Sequence, residues 1–199
     1  MKNIFLTLIA IITISCKAQT VPLNTHYDDT NIGAYFKDTF NEMNKFEGTW
    51  EYSNGTDTLK IIIKKKTHYF DGEYYQDLLI GEYQFINNGQ EIVNTIPNNS
   101  FDWSNIDERN IGGWRFITNN EVLLCSNCSQ NEKRIKLFFS DPERNYLSLS
   151  LVLRYLPQSI GEPEKMTATL ISNSGVVLPD ANSPTEARVP YGEYLMIKQ

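Results

Sequence analysis

The chain has few of the side chains that usually carry metal or nucleophilic chemistry. Its 199 residues include 2 histidines and 3 cysteines. A zinc site takes four ligands, or three and a water. A serine–histidine–acid arrangement would have to use His26 or His68, and no serine stands in a nucleophile-elbow motif. The sequence therefore predicts no catalytic residue, no metal site and no cofactor.

The chain also has no excess of positive charge. Acidic residues outnumber basic ones by 24 to 18, which gives a net charge of −6. Binding to a phosphate backbone depends on concentrated lysine and arginine. The one basic run, Lys64-Lys65-Lys66, fits a solvated strand end. We therefore predict that nucleic acid is not a partner.

The longest apolar run, near the N-terminus, is too short to span a membrane. Ile4 to Ile14 is apolar except for two threonines and follows the positive Lys2. A membrane-spanning helix needs about 20 apolar residues. A short apolar run behind a basic start is typical of a signal peptide, which we assign to residues 1–15.

The end of this leader, Ile14-Ser15-Cys16, resembles a bacterial lipoprotein signal. That resemblance implies that Cys16 is lipidated on sulfur and becomes the N-terminus, anchoring the protein to the outer membrane on its periplasmic or surface face. The alternative is secretion after cleavage at Ala18, because Cys16-Lys17-Ala18 is a small-x-small site. Either outcome predicts export from the cytoplasm.

Two segments precede the main body of the chain. Residues 16–31 contain few apolar side chains and are predicted to form the lipidated N-terminus and a tether. Between residues 32 and 46, apolar side chains recur at steps of three and four, which predicts one short amphipathic helix covering an end of the domain. A single β-barrel domain is assigned to residues 32–199.

Turn signals at short intervals divide the rest of the chain into strands. Asn54-Gly55, Asp71-Gly72 and Asn88-Gly89 are tight-turn dipeptides between apolar segments. From Leu147 to Tyr155, apolar residues alternate with mostly polar ones, as in a sheet with one buried face. Connections this short favour antiparallel neighbours. We predict an all-β fold, an up-and-down barrel or strongly curled sheet of about 8–10 strands, with a β-sandwich as the alternative.

The segment Phe46-x-Gly48-Thr49-Trp50 resembles the start of lipocalin-type and related calycin barrels. In those barrels the glycine lets the chain turn into the first strand, and the tryptophan closes one end. A late arginine usually packs across that indole as a cation–π contact. The resemblance implies closing roles for Gly48 and Trp50, and for Arg154 or Arg188.

The whole chain also resembles a family of bacterial surface lipoproteins with no assigned function. The likeness rests on the leader ending in Cys16-Lys17-Ala18-Gln19, the Gly48-Thr49-Trp50 start, Leu79 to Tyr83 and the final strand Tyr194 to Lys198. It supports export and the barrel, and it implies no activity.

Cys125 and Cys128 form a Cys-x-x-Cys pair. Half a zinc site and a thioredoxin-like redox pair are alternatives, but the chain has no second pair, and this pair follows a strand rather than starting a helix. In an exported protein, a local disulfide or two thiols in a hairpin loop fits better. A loop this short gains little stability from such a bond.

A long break between strands, residues 97–113, holds two aromatic side chains, Phe101 and Trp103, among Asn, Ser and Asp. Loops beyond about 12–15 residues are often functional. Aromatics at a barrel mouth suit a flat apolar or sugar ligand, while the alternative is that they pack down as a plug.

These patterns predict a non-enzymatic, exported and lipid-anchored barrel that binds a small apolar or carbohydrate ligand in its mouth, or serves as an envelope interaction module. The alternative is an envelope glycan hydrolase, because the chain has many carboxylates and two of them could act as a pair.

The anchor predicts a fractionation result. Cys16→Ser removes the sulfur that would carry the lipid, so the protein is expected to move from the membrane fraction to a soluble exported fraction. The measurement is immunoblotting of fractions from a bacterial host, with Cys128→Ser as the matched control that keeps the leader cysteine. Equal membrane retention of both variants would contradict the anchor.

Overall fold

Eight of the strands in the described residues close into a barrel. The computed structural model describes residues 19–96, 108–119, 123, 125–173 and 178–199. The strands in these ranges are β1 Thr20–Pro22, β2 Tyr35–Lys37, β3 Gly48–Ser53, β4 Thr58–Phe70, β5 Tyr75–Asn87, β6 Gln90–Asn94, β7 Ile111–Ile117, β8 Arg134–Phe139, β9 Leu149–Tyr155, β10 Lys165–Ser172 and β11 Gly192–Lys198. Two 3-10 turns, Tyr27–Asp29 and Asn44–Phe46, complete the set.

The barrel order is β3-β4-β5-β7-β8-β9-β10-β11, and β11 pairs with β3 to close it. Each of these neighbours is antiparallel. The predicted all-β, up-and-down barrel is therefore confirmed, and the sandwich alternative is not needed. Closure leaves no free edge within the ring.

Strand β5 has β4 along one edge and three different strands along the other. β2 pairs with its start, β7 with its middle and β6 with its end. Gly81 lies at the β7 contact, where a Cβ atom would come within 2.6 Å of the Ile62 carbonyl oxygen. The chain needs a glycine here because the β4 backbone passes too close for a side chain.

The barrel interior is filled by the inward-facing side chains of the alternating strands. On β4, for example, Leu59, Ile61 and Ile63 are buried while Lys60 and Lys64 face outward. The buried side chains that fill the interior include Trp50, Ile61, Ile63, Leu79, Tyr83, Ile111, Ile135, Leu137, Leu151, Leu153, Met166 and Met196. These side chains occupy the space in which a lipocalin-like barrel would have its internal ligand cavity.

Trp50 is fully buried where the first barrel strand meets the last. Its indole Nε1 donates a hydrogen bond of 2.8 Å to the Phe46 carbonyl oxygen. The cation over its ring is Lys198, with Nζ 5.3 Å from the ring centroid. Gly48 has φ of +131°, and a Cβ atom there would lie 2.8 Å from Lys198 Cε. The glycine therefore leaves room for the lysine that lies over the indole.

The arginines expected over Trp50 have other partners. Arg154 Nε donates to Glu132 Oε1 at 2.6 Å, and its Nη2 donates to the Asn127 carbonyl at 2.8 Å. Arg188 instead pairs with Asp141. The role given to Arg154 is therefore corrected: β11 brings a lysine to the position that the calycin resemblance assigned to an arginine.

The predicted amphipathic helix over residues 32–46 is also wrong. The chain forms β2 and the 3-10 turn Asn44–Phe46 instead. Phe36 and Met43 are buried, whereas Ile32 and Phe40 are 77% and 79% exposed, so the apolar side chains do not share one helical face. The residue after Phe40, Asn41, has φ of +54°, which interrupts helical geometry.

The tether predicted over residues 16–31 is packed from Gln19 onward. β1 pairs in parallel with β2, and Val21 and Leu23 are buried in the core. Two apolar side chains two residues apart, one on β1 and one just after it, were too weak a pattern to predict this packing. Residues 19–46 together cover one end of the barrel, which we call the N-terminal end.

The buried indole predicts a large stability loss. Trp50→Ala should lower the free energy of unfolding by roughly 3–5 kcal/mol, because it empties a packed site and leaves the Phe46 carbonyl unpaired. Phe138→Ala, at an aromatic residue that is 49% exposed, is the control and should cost less than about 1 kcal/mol. Urea unfolding measures both, and similar losses would contradict the central role of Trp50.

Candidate functional site

The N-terminal end of the barrel is held shut by two buried aspartates. Asp38 accepts hydrogen bonds from the backbone amides of Glu42 and Met43, at 2.9 and 3.0 Å, and its carboxylate lies 2.8 Å from Lys65 Nζ. Asp77 accepts from the Asp38 amide at 3.0 Å and from the Tyr35 hydroxyl at 2.6 Å. These bonds fasten residues 35–43 to β4 and β5.

Burial and bonding act on the pKa of Asp38 in opposite directions. Burial alone would raise the pKa of this carboxyl, but the bonds from Lys65 and from the Met43 and Glu42 amides lower it below its usual value. The carboxylate is therefore held in its charged form. For Tyr35, burial and the nearby Asp77 raise the pKa, so the phenol stays protonated and donates to that carboxylate.

The opposite end of the barrel is closed by the segment before β11. Ala187 and Val189 are buried there, and Arg188 Nη2 lies 2.6 Å from the Asp141 carboxylate. Arg188 Nε also donates to that carboxylate at 2.8 Å. The Tyr83 hydroxyl donates to the Ser140 carbonyl from inside the barrel at 3.1 Å. The segment 19–46 thus covers one end of the filled barrel, and the segment before β11 covers the other.

A groove of about 590 Å³ lies at the N-terminal end of the barrel. We call it the N-terminal groove; it is lined by Leu23, Asn24, Thr25, His26, Tyr27, Trp114, Arg115 and Phe116. A second cleft of about 270 Å³ continues it and shares Leu23, Asn24 and Phe116. One wall is the segment after β1, and the other is the second half of β7.

Three aromatic side chains, Tyr27, Trp114 and Phe116, line the groove, and Tyr27 also packs against aromatics beneath it. The Tyr27 ring lies 4.7 Å from Phe36, 5.0 Å from Tyr74 and 6.1 Å from Trp114, measured between centroids. Burial, with smaller effects from Asp71 and Tyr74, raises the pKa of Tyr27, so its hydroxyl is neutral at pH values near 7. Trp114 is half-buried and keeps part of its ring open to a ligand.

Sequence reasoning missed this groove. Trp114 and Phe116 are two residues apart on β7, so they share the face of the strand opposite to that of Arg115. The glycine pair Gly112-Gly113 and the register shift after it turn this half of β7. Aromatics at i and i+2 after two glycines were a usable signal, but their approach to Tyr27 depends on the folding of residues 19–46.

The cysteine pair lies at a different place, on the side of the barrel. Cys125 and Cys128 are joined by a disulfide, with their Cα atoms 5.3 Å apart. Asn119 holds this loop by accepting from the Cys125 amide at 2.8 Å and donating to its carbonyl at 2.9 Å. A polar cleft of about 250 Å³ beside the loop is bordered by Arg134 and Arg154. The disulfide stiffens the loop near that cleft.

Other predicted positions lie outside the described residues. They are the leader 1–15, Cys16 and Ala18, and the loop aromatics Phe101 and Trp103. The structure therefore leaves the anchor and the predicted ligand loop as predictions. No helix within the described ranges is long and apolar enough to cross a membrane.

The buried carboxylates have structural partners. Glu82 lies 3.2 Å from Arg109 Nη1 and accepts from the Asn110 side chain at 2.8 Å. Asp38, Asp77 and Asp141 hold the barrel ends as described above. In the part of the chain that the structure describes, no group of three or more His, Cys, Asp or Glu side chains is arranged to hold a metal ion.

The fold and its covered ends define a class: an antiparallel, eight-stranded barrel with a filled interior. The chain belongs to DUF6705, a family of unknown function, which matches it over residues 1–199. Comparisons with curated proteins and with solved structures give no match.

The Asp38–Lys65 pair predicts a pH-dependent stability. The lowered pKa of Asp38 adds stability that is present above the unfolded value near 4 and is lost as pH falls through the folded value. Asp38→Asn should therefore cost about 3 kcal/mol at about pH 7 and clearly less at about pH 3.

The control for this prediction is the exposed pair of Glu42 and Lys133, which are also 2.8 Å apart. Glu42→Gln should cost less than about 1 kcal/mol, because exposed pairs contribute little. Urea unfolding at both pH values gives the comparison. A loss from Asp38→Asn that is the same at both values would show that its charge is not what holds the end.

Proposed function

We propose that this protein is an exported, lipid-anchored barrel that binds a small ligand in the N-terminal groove. The observation that carries the proposal is a groove of about 590 Å³ at the N-terminal end, lined by Tyr27, Trp114 and Phe116, in a barrel whose interior is otherwise filled by side chains. Export and the anchor at Cys16 rest on the leader sequence. The protein acts as a binding module and not as an enzyme.

The composition of the groove sets the chemical class of its ligand. Tyr27, Trp114 and Phe116 supply flat apolar surfaces, and Asn24 and His26 supply hydrogen-bonding groups at the exposed side. A binding site of this kind combines apolar walls with a few polar groups that fix orientation. A sugar ring has an apolar face and hydroxyl edges that suit both. An envelope carbohydrate therefore fits the groove better than a wholly apolar molecule.

The groove predicts a binding result. Trp114→Ala should weaken binding of envelope oligosaccharides by about tenfold or more, because truncating an aromatic anchor costs at least about 1–2 kcal/mol. Binding is measured on an array of bacterial envelope oligosaccharides and then by titration of the best hit. A fluorescent fatty acid serves as the apolar probe.

Two further variants make this result decisive. Tyr191→Ala removes a 37% exposed aromatic side chain at the opposite end of the barrel and should leave binding unchanged. Asn24→Ala removes an exposed polar group of the groove, so it should weaken binding without a loss of stability. Equal binding by the unsubstituted protein and Trp114→Ala, or no binding to any oligosaccharide, would overturn the carbohydrate proposal. Binding of the fatty acid alone would assign the groove to an apolar ligand.

A further inference from the structure

The folded domain begins very close to the proposed lipid. The carbonyl oxygen of Gln19 accepts a hydrogen bond from the Tyr35 amide at 2.7 Å, and its side chain accepts from the Asn31 amide at 3.3 Å. Gln19 is thus fixed to the N-terminal end of the barrel. Three residue steps separate it from Cys16, and such a chain spans at most about 11 Å.

This span is short compared with the barrel. β4 alone has 13 residues, which at about 3.3 Å per residue makes a strand of roughly 40 Å. A lipid on Cys16 therefore cannot hold the domain at a distance from the membrane. The end of the barrel that carries Gln19 has to stay near the lipid headgroups.

The most exposed apolar side chains of the described residues lie at this same end. Ile160 is fully exposed, and Phe40 and Ile32 are 79% and 77% exposed. Other large apolar side chains, such as Leu195 on the side of the barrel and Tyr191 before β11, are 49% and 37% exposed. An exposed apolar side chain by itself is ordinary, so what matters here is that these three lie at the end of the barrel that carries Gln19.

Each of the three is tied to the N-terminal end by a neighbour. Ile32 follows Asn31, which donates to the Gln19 side chain. Phe40 borders the cleft that continues the N-terminal groove. Ile160 lies in the connection from β9 to β10, on the rim where Tyr155 contacts Phe46 at 6.4 Å between ring centroids.

The charges around these side chains have both signs. The positive side chains at this end are the exposed Lys37 and the half-buried Lys45. The negative ones are the exposed Asp28, Asp29 and Glu162. A polybasic patch would favour anionic lipids, but charges that balance give little net attraction to them. Apolar contact is the interaction that this surface offers to a bilayer.

We propose that the N-terminal end of the barrel lies directly on the membrane surface, with Ile32, Phe40 and Ile160 inserted at the level of the lipid headgroups. The occupant of this apolar rim is the bilayer that holds the lipid of Cys16. The inference rests on the lipid anchor of the proposed function. It adds an orientation: the end closed by Arg188 and Asp141 points away from the membrane.

The test is fluorescence quenching by lipids of known position. The full chain is produced in a bacterial host, purified with its lipid and placed in phosphatidylcholine liposomes that contain brominated phosphatidylcholine. Phe40→Trp and Ile160→Trp each add an indole at the rim. Tyr191→Trp adds one at the far end, and Leu195→Trp adds one on the side. The added emission is the difference from the unsubstituted protein.

The added emission of both rim variants should be quenched about twofold or more beyond that of either control, because apolar groups at an interface lie within about 5–10 Å of the acyl boundary. High salt should not reduce this difference, since the contact is apolar. Quenching of Phe40→Trp and Ile160→Trp no greater than that of Tyr191→Trp would overturn the orientation. Quenching at one rim position alone would also overturn it.

The failure of the anchor is a separate result. The mass of the N-terminal peptide shows whether Cys16 carries a lipid, and this measurement is independent of quenching. A peptide without lipid would overturn the anchor and this inference together. A lipidated protein with unquenched rim variants would overturn the orientation only and leave the anchor in place.

Discussion

The contact between the first and the last barrel strand determines whether the sheet is a barrel at all. β11 pairs with β3 at Trp50 and Glu51, and the terminal Gln199 amide donates to the Thr49 carbonyl. Trp50 fills the space behind this seam and hydrogen-bonds to Phe46. Lys198 lies across the indole on the side that Gly48 leaves open. The segment Gly48 to Trp50 therefore contacts the last barrel strand through both backbone and side chains. Apart from the contact of β5 with β7, the other neighbours within the ring are consecutive hairpin strands.

Closure has a consequence for function, because the interior that it creates is occupied. The calycin resemblance suggests an internal ligand cavity, yet side chains fill the centre of this barrel. A buried ion pair lies at each end. Asp38 is fastened to Lys65 at one end and Asp141 to Arg188 at the other. Buried pairs of this kind are costly to break, so neither end is expected to open readily.

The outer surface is not uniform. The segment 19–46 covers one end and, in doing so, forms the N-terminal groove against β7 and carries the exposed Ile32 and Phe40. The first residue of this segment lies three steps from the proposed lipid site. Groove, apolar rim and anchor thus share one end, which connects the two proposals: a ligand would be met close to the membrane to which the protein is attached.

The sequence by itself determined the strands and the barrel, because period-2 alternation and tight-turn dipeptides are local signals, as in Leu147 to Tyr155 and Asn54-Gly55. It also indicated Gly48 and Trp50. Only the tertiary structure decided that Lys198 rather than Arg154 lies over the indole, since a cation–π contact depends on which strand closes the ring. The tertiary structure also decided the conformation of residues 19–46. Their apolar spacing favoured a tether and a helix, but hydrogen bonds to the buried Asp38 and Asp77 hold them in a different conformation. The groove at Trp114 exists because that path passes beside β7, and long-range packing of this kind leaves no local pattern.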